Sequence, residues 1–267
     1  MKIYLEIFGF TVPAYGTMAA AGFLLALAAA MIYARLYGIM RKDVLCAACY
    51  GGLGLVAGAK LFYAIPFLPE LLQLVSENGF SYLLENSREI ISQIFAGYVF
   101  YGGLIGMTAG IYFYARSMKV PFLNYADVLA IVVPLFHGFG RIGCFLAGCC
   151  YGREYHGIFA VTFPPNPYEP GIELTERFPV QLLESVCNFI LFAVLAIYGR
   201  KRREPGKLLG IYLVAYPVIR FITEMFRGDE IRGVIRAGMI QLSTSQIISL
   251  LLLPLGIGLC VGAKKNK

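Results

Sequence analysis

Long apolar stretches separated by short polar segments dominate the hydrophobic pattern of this 267-residue chain. A helix that crosses a bilayer needs about 20 mostly apolar residues. Stretches of suitable length and composition are residues 16–34, 44–66, 94–115, 126–148, 180–199, 208–227 and 244–262. The pattern therefore predicts an all-α fold, an integral membrane bundle of seven transmembrane helices that forms a single transmembrane domain over residues 1–267.

The composition supports a membrane location. Hydrophobic residues make up 58% of the chain and charged residues only 15%, which is more apolar surface than one water-soluble core can bury. We therefore expect no separate soluble domain. The first apolar stretch lacks the preceding basic segment of a secretory signal peptide, so we expect it to remain in the mature protein.

The positive charges lie where they would orient such a bundle. The net charge is +7, and Lys and Arg cluster after the first, third, fifth and seventh apolar stretches, whereas the other connections are acidic or mixed. Because loops rich in Lys and Arg stay in the cytoplasm, the N-terminus is predicted to lie outside and the C-terminus in the cytoplasm. The charge distribution indicates topology and does not indicate a nucleic-acid-binding surface.

Residues 67–92 and 152–178 are the two long external loops of this topology. The first has leucines and glutamates at helical spacing, which predicts a short amphipathic helix at the membrane interface. The second contains the proline-rich run 163–171, which favours a loop. Because long loops often carry function, the working side is predicted to face outward.

An arginine lies within the fourth apolar stretch. Arg141 is flanked by Gly140 and Gly143, and an unpaired guanidinium in hydrocarbon costs at least a few kcal/mol. We therefore expect Arg141 to hold an anion. On a helix, His137, Arg141 and Cys144 share one face, and His137 is either a proton relay or a polar residue packed between helices.

The sixth apolar stretch presents a similar charged face. Tyr216, Arg220, Glu224 and Arg227 follow one another at helical spacing. Arg220 and Arg141 both lie about 18–22 Å from the cytoplasmic ends of their helices, at matching depth. Because a guanidinium grips phosphate oxygens bidentately, the two arginines are predicted to form a phosphate clamp.

The alternative is that these charges only hold helices together. Arg220 can pair with Glu224 at i, i+4, and Arg141 can pair with Asp127 or Glu184. Buried ion pairs contribute little to stability, and so many charges in one small bundle favour a polar cavity. Glycines cluster in the second, third and fourth stretches, which indicates either close helix packing or a lipid head-group pocket.

Several motifs carry a family resemblance over nearly the whole chain. Gly140-Arg-Ile-Gly143 is followed by Gly152, Tyr101-Gly-Gly-Leu-Ile-Gly106 lies upstream, and the charged face of the sixth stretch lies downstream. With these motifs the chain resembles the prolipoprotein diacylglyceryl transferases. The resemblance implies a multi-pass protein of the bacterial cytoplasmic (inner) membrane. It would transfer a diacylglyceryl group from phosphatidylglycerol to the lipobox cysteine of preprolipoproteins and release glycerol phosphate.

The resemblance and the helical faces together assign roles to individual residues. The catalytic candidates are Arg141, Arg220, Tyr101 and Glu224. The substrate-binding candidates are Tyr15, Lys60, Gly102, Gly103, Asp127, His137, Gly140, Gly143, Cys144, Gly152, Gln181, Glu184 and Arg227. The implied partners are phosphatidylglycerol, the lipobox peptide and membrane lipids, and no metal or other cofactor is implied.

The signature departs from the family's usual pattern at several positions. Tyr101 and Phe178 stand where the family has histidines, and Cys144, Ala147 and Cys149 stand where it has two asparagines and an acid. Another group must therefore accept the proton of the incoming thiol. Two arginines can stabilise a leaving phosphate electrostatically, positive charge favours the thiolate form of a thiol, and Tyr101 is a candidate for orienting the substrate or relaying a proton.

The chain has seven cysteines, which is many for a membrane bundle. Cys46 and Cys49 have redox-motif spacing but open an apolar stretch, where inert packing is expected. Cys144, Cys149 and Cys150 lie on or beside the arginine face and are candidates for a metal, disulfide or acyl-accepting site, or for packing. One alternative function is therefore a divergent paralogue that uses these three thiols for membrane thiol redox or metal handling. Another is a phospholipid-binding protein without turnover.

Overall fold

The computed structural model describes residues 3–7, 9–94, 97–165, 173–228, 234–237 and 240–265. Most of these residues are helical. The α-helices are α1 Ala14–Ala34, α2 Arg41–Ala64, α3 Leu68–Glu85, α4 Ser87–Ile94, α5 Phe100–Ser117, α6 Phe122–Ala147, α7 Val180–Tyr198, α8 Lys207–Glu224 and α9 Thr244–Lys265. Short 3-10 turns at Arg35–Tyr37 and Ile65–Phe67 follow α1 and α2.

Short antiparallel strand pairs accompany the helices and were not predicted. The strands are β1 Tyr4–Ile7, β2 Phe10–Pro13, β3 Val161–Thr162, β4 Glu176–Arg177, β5 Val234–Ala237 and β6 Ile240–Ser243. β1 pairs with β2, β3 with β4, and β5 with β6. Each pair adds local backbone hydrogen bonds next to a helix without forming a larger sheet.

Five helical segments of the described chain are long and apolar enough to cross a membrane. They are Ala14–Tyr37, Arg41–Gly79, Phe122–Ala147, Val180–Tyr198 and Thr244–Gly262. The stretches predicted at 94–115 and 208–227 correspond to α5 and α8, which are helices of 18 residues each. The structure therefore fits an all-α membrane protein. The count of seven spans and the orientation of the termini stay predictions.

The two loops predicted as external have structure of their own. The segment 67–92 contains α3 and α4, and Gly79 interrupts α3 with a positive φ of 77°. In the segment 152–178, most of the proline-rich run lies outside the described residues. The part that is described folds back on itself through β3 and β4, and buries Phe163 against Tyr151 and Phe145.

The chain divides into two compact units, and the prediction of a single domain stays a prediction. The first unit comprises Met1–Gly38 with Ala126–Lys267, and the second comprises Ile39–Tyr125. In the first unit, α6 packs against α1 at Gly22, where an added Cβ would lie 2.7 Å from the Cβ of Phe139. It packs against α7 at Gly138, whose carbonyl accepts a 2.9 Å hydrogen bond from Ser185 Oγ.

The second unit is organised by a glycine seam between α2 and α5. A Cβ added at Gly54, Gly58, Gly102 or Gly106 would overlap a backbone carbonyl of the opposite helix. Small residues allow membrane helices to approach this closely. Of the two interpretations of clustered glycines, close helix packing is the one observed at these four positions.

Candidate active site

The carboxylate of Glu184 joins the two intramembrane arginines of the first unit. Glu184 lies in the second turn of α7 and is only 3% exposed. Its Oε2 pairs with Nε of Arg141 on α6, and its Oε1 accepts a 2.7 Å bond from Nη1 of Arg220 on α8. The structure therefore brings Arg141, Arg220 and Glu184 together. The group between the two guanidiniums is a side chain of the protein.

Arg220 extends this network to a fourth helix. Its Nη2 lies 2.5 Å from Oε2 of Glu224 and 3.1 Å from Oγ of Ser245, which is in the first turn of α9. The alternative in which the charges only hold helices together predicted two pairs that are present. They are Arg220 with Glu224 and Arg141 with Glu184. They form one connected network of two positive and two negative groups, which holds the guanidiniums in fixed orientations.

Arg141 is the more accessible arginine of the network. Its side chain is 21% exposed, compared with 12% for Arg220. Among the described residues, Glu184 is its one ion-pair partner, and it uses Nε for that contact. A Cβ added at the neighbouring Gly140 would meet no atom within 4 Å. The Nη edge of Arg141 thus makes no ion pair with any described residue.

One turn from the arginines, α6 and α8 carry a pair of aromatic rings. The ring of His137 lies 5.3 Å from that of Tyr216, which stacks on Tyr212 at 5.4 Å. His137 Nδ1 is buried, and no hydrogen-bond partner for it occurs among the described atoms. The faces predicted for the fourth and sixth apolar stretches are thus connected twice. The rings of His137 and Tyr216 are in contact, and one turn away Arg141 and Arg220 share Glu184.

The chain that follows α6 packs tightly against two other segments. The amide N–H of Gly152 donates to the carbonyl of Phe178 at 3.0 Å, and Arg153 donates to Phe226 at 2.9 Å. Gly152 and Arg227 form a β-bridge. A Cβ at Gly152 would overlap the Phe178 carbonyl and lie 2.9 Å from that of Phe226. Glycine is therefore required here by packing.

Three thiols converge at the end of α6. The Sγ atoms of Cys144, Cys149 and Cys150 all lie within 4.8 Å of one another. Gln181 Nε2 donates a 2.8 Å hydrogen bond to the carbonyl of Cys149 and ties this segment to α7. On the α1 side, a Cβ at Gly143 would lie 3.1 Å from the ring of Tyr15, which places Tyr15 beside the same part of α6.

Asp127 lies at the opposite end of α6 and is not part of this cluster. Its carboxylate accepts 2.8 Å hydrogen bonds from the backbone N–H groups of Gly206 and Leu209 at the start of α8. Fourteen residues of helix separate it from Arg141, which corresponds to about 21 Å. The contacts of Asp127 are those of a helix N-cap.

Four of the candidates belong to the second unit. Lys60 Nζ lies 3.9 Å from the centre of the Tyr98 ring, and Tyr101 is 40% exposed. Gly102 is part of the glycine seam, whereas a Cβ at Gly103 would make contacts of ordinary length. The structure gives Gly102 a packing role and leaves the roles of Lys60, Tyr101 and Gly103 as predictions.

Ser245 was not among the predicted site residues. It is positioned by a capping box at the start of α9, in which Ser243 Oγ accepts from the Gln246 amide at 3.2 Å and Gln246 Oε1 accepts from the Ser243 amide at 3.0 Å. Ser-x-x-Gln before an apolar run is a recognisable helix start. That pattern places Ser245 in the first turn, although it does not reveal Arg220 as its partner.

Comparison with known proteins identifies the family of this chain. Residues 2–262 match the family model described as prolipoprotein diacylglyceryl transferase. The chain belongs to this family. The resemblance seen in the sequence motifs is thereby confirmed.

Named relatives cover almost the whole chain. A phosphatidylglycerol–prolipoprotein diacylglyceryl transferase of Clostridium tetani is 33% identical over 256 residues, 96% of this chain and 94% of that protein. The protein of Clostridium perfringens named phosphatidylglycerol–prolipoprotein diacylglyceryl transferase 2 is 32% identical over 259 residues, 96% and 93% of the two chains. These relatives do not favour the alternative of a paralogue devoted to thiol redox or metal handling.

Proposed function

We propose that this protein transfers a diacylglyceryl group from phosphatidylglycerol to the lipobox cysteine of a preprolipoprotein and releases glycerol phosphate. The observation that carries the proposal is the convergence of Arg141 and Arg220, from two different helices, on one buried carboxylate. Charged groups are costly within a membrane bundle and mark functional sites there. The family membership supplies the reaction.

Arg141 binds the phosphate of the lipid through the edge that Glu184 does not occupy. Since its contact with Glu184 is made through Nε, its two Nη groups are the donors that bind the phosphate oxygens. The open space beside Gly140 admits the head group. Arg220, whose Nη groups are held by Glu184, Glu224 and Ser245, contributes positive charge at a fixed position.

The reaction displaces a phosphate ester from the glycerol carbon. A thiolate sulfur attacks that carbon, the C–O bond to phosphate breaks, and the electron pair leaves with glycerol phosphate. Negative charge accumulates on the leaving phosphate, so preorganised guanidiniums stabilise the transition state more than the ground state. Glu184 and Glu224 keep the two guanidiniums from reorienting while this charge develops.

The remaining assignments belong to the same proposal. The protein lies in the bacterial cytoplasmic membrane and crosses it seven times. Five of the spans are the long apolar helical segments, and α5 and α8 are the other two. The N-terminus lies outside and the C-terminus in the cytoplasm. Tyr15, Gln181, Gly143 and Gly152 shape the substrate region, Tyr101 orients substrate or relays a proton, and Lys60 contacts lipid.

Substitution of the accessible arginine tests the proposal. The purified protein in phosphatidylglycerol nanodiscs should convert a lipobox peptide to a diacylglyceryl thioether detectable by mass spectrometry. Arg141→Ala should reduce kcat by about 10²–10³-fold, as expected for loss of one preorganised charge-stabilising donor. Arg203→Ala is the matched control, because Arg203 belongs to the same unit but stacks on Tyr198. Equal rates for wild type and Arg141→Ala would contradict the mechanism.

A further inference from the structure

The three thiols at the end of α6 are the strongest unassigned cluster in the described chain. Cys144 lies in the last turn of the helix, and Cys149 and Cys150 follow the end of the helix. The amide of Cys149 donates to the Cys144 carbonyl at 3.2 Å, and Cys150 has a φ of 59°, a left-handed conformation uncommon for a side-chain-bearing residue. The turn folds two thiols back over the third.

The spacing of these thiols suits a metal ion. Three thiolates bound tetrahedrally at the usual Zn–S distance of about 2.3 Å lie about 3.8 Å apart. The Sγ atoms of Cys144, Cys149 and Cys150 are already within 4.8 Å of one another. Small side-chain rotations therefore bring the three sulfurs to the separation that a bound zinc ion requires. A disulfide would join only two of these sulfurs, whereas all three lie within 4.8 Å of one another.

The surroundings are electrostatically suited to the same ion. Three thiolates and one Zn²⁺ carry a net charge of −1, and Cys150 lies within electrostatic range of Arg227 and Arg141. The Oε1 atom of the fully buried Gln181, whose Nε2 holds the Cys149 carbonyl, has no hydrogen-bond partner among the described atoms. A buried, unsatisfied acceptor next to the segment that carries Cys149 suits a bound water or ligand.

Among the described side chains of the first unit, none of the acids or histidines near the arginines is positioned to deprotonate an incoming thiol. Both carboxylates of the network are held by guanidiniums, and His137 packs one turn away against Tyr216. A metal ion removes that requirement, since a coordinated thiol loses its proton outright.

We propose that Cys144, Cys149 and Cys150 bind one Zn²⁺ ion whose fourth position takes the cysteine thiolate of the incoming peptide. This role of the ion rests on the proposed transferase function. On binding, the peptide thiol releases its proton to water. The zinc-bound sulfur attacks the glycerol carbon, the C–O bond to phosphate breaks, and the thioether dissociates from the ion as glycerol phosphate leaves. Three-ligand zinc sites with one open position are the catalytic type.

Metal binding is tested first, without reference to activity. The full chain, kept reduced in nanodiscs and stripped with a chelator, should bind one equivalent of Zn²⁺, measured by elemental analysis. Cys144→Ser, Cys149→Ser and Cys150→Ser should each weaken binding by about 100-fold or more. Cys187→Ser and Cys260→Ser are matched controls on α7 and α9 that should bind normally. Absence of stoichiometric binding by the reduced wild type, or a disulfide among the three thiols in freshly isolated protein, would overturn the site.

The fourth ligand is tested with Co²⁺ as a spectroscopic probe. A lipobox peptide with cysteine should increase the thiolate-to-cobalt charge-transfer absorption by about one third, as expected for a fourth thiolate added to three, and the same peptide with serine should not. No increase with the cysteine peptide would refute the substrate role of the ion.

Turnover then separates this inference from the transferase function. Zn²⁺-loaded wild type should form the thioether, and the stripped protein should lose most of that activity and regain it with Zn²⁺. Full activity of the stripped protein would reject the catalytic role of zinc and leave the transferase standing. Absence of thioether from a zinc-loaded protein would reject the transferase and leave the metal site standing.

Discussion

Two buried carboxylates, one near each end of α6, are satisfied in contrasting ways. Asp127 accepts hydrogen bonds from the backbone N–H groups of Gly206 and Leu209. Glu184, by contrast, is held by the guanidiniums of Arg141 and Arg220. Both carboxylates are almost fully buried, at 0% and 3% exposure. Burial alone therefore does not distinguish a structural acid from one in the proposed reactive site.

Asp127 and Glu184 differ in the groups that donate hydrogen bonds to them. A backbone amide at a helix start cannot be redirected without unwinding the helix, so the contacts of Asp127 fix the position of α8 relative to α6. A guanidinium offers five N–H donors in a planar fork, so an arginine can hold Glu184 through one edge and a lipid phosphate through another. A buried carboxylate thus caps a helix at one end of α6 and holds the two arginines of the proposed site at the other.

The largest effect is expected at Glu184. Glu184→Ala removes the shared acceptor of two partly buried guanidiniums and should lower the free energy of unfolding by about 3–5 kcal/mol. Denaturant unfolding in lipid micelles measures this loss of unfolding free energy. Glu184→Gln, which keeps the shape and one acceptor oxygen, should lose less. A loss below about 1 kcal/mol for Glu184→Ala would indicate that the arginines find other acceptors.

A smaller loss with a different signature is expected at Asp127. Asp127→Ala leaves two amides at the start of α8 without their acceptor and should cost about 1–3 kcal/mol. The rate of thioether formation per folded molecule should stay at the wild-type value, because the residue is about 21 Å along the helix from Arg141. A selective fall in kcat without loss of stability would move Asp127 into the reactive site.

Two glycines close to the arginine end should respond with opposite signs. Gly152→Ala places a Cβ against the Phe178 and Phe226 carbonyls and should destabilise by about 1–2 kcal/mol. Gly140→Ala meets no atom within 4 Å and should stabilise its helix by up to about 1 kcal/mol. Thermal unfolding of both variants gives the comparison, and equal shifts would mean that the chain after α6 is less tightly packed than described.

The smallest effect is expected at Ser245. Ser245→Ala removes one hydrogen bond from Arg220 Nη2, at 3.1 Å, and should cost about 1 kcal/mol or less, because Glu184 and Glu224 still hold that guanidinium. Ser245→Thr keeps the hydroxyl and is the control. A loss as large as that of Glu184→Ala would show that α9 is the main support of Arg220.

Helices, the family and the two charged faces follow from the sequence by itself. Long apolar runs specify helices because hydropathy and helical periodicity are local properties, and the Gly140–Gly143 signature identifies the family because its motif is contiguous. The spacing of His137 and Arg141, and of Tyr216 and Arg220, likewise fixes which side chains share a face.

Only the tertiary structure decided which groups those faces meet. Glu184 lies between the two arginines, Asp127 caps α8, and Ser245 reaches Arg220, because contacts between residues far apart in the chain depend on which helices are neighbours and at what height. The convergence of Cys144, Cys149 and Cys150 depends on a left-handed residue in the turn after α6, which a helical projection cannot represent. Local patterns determine elements, whereas long-range packing determines partners.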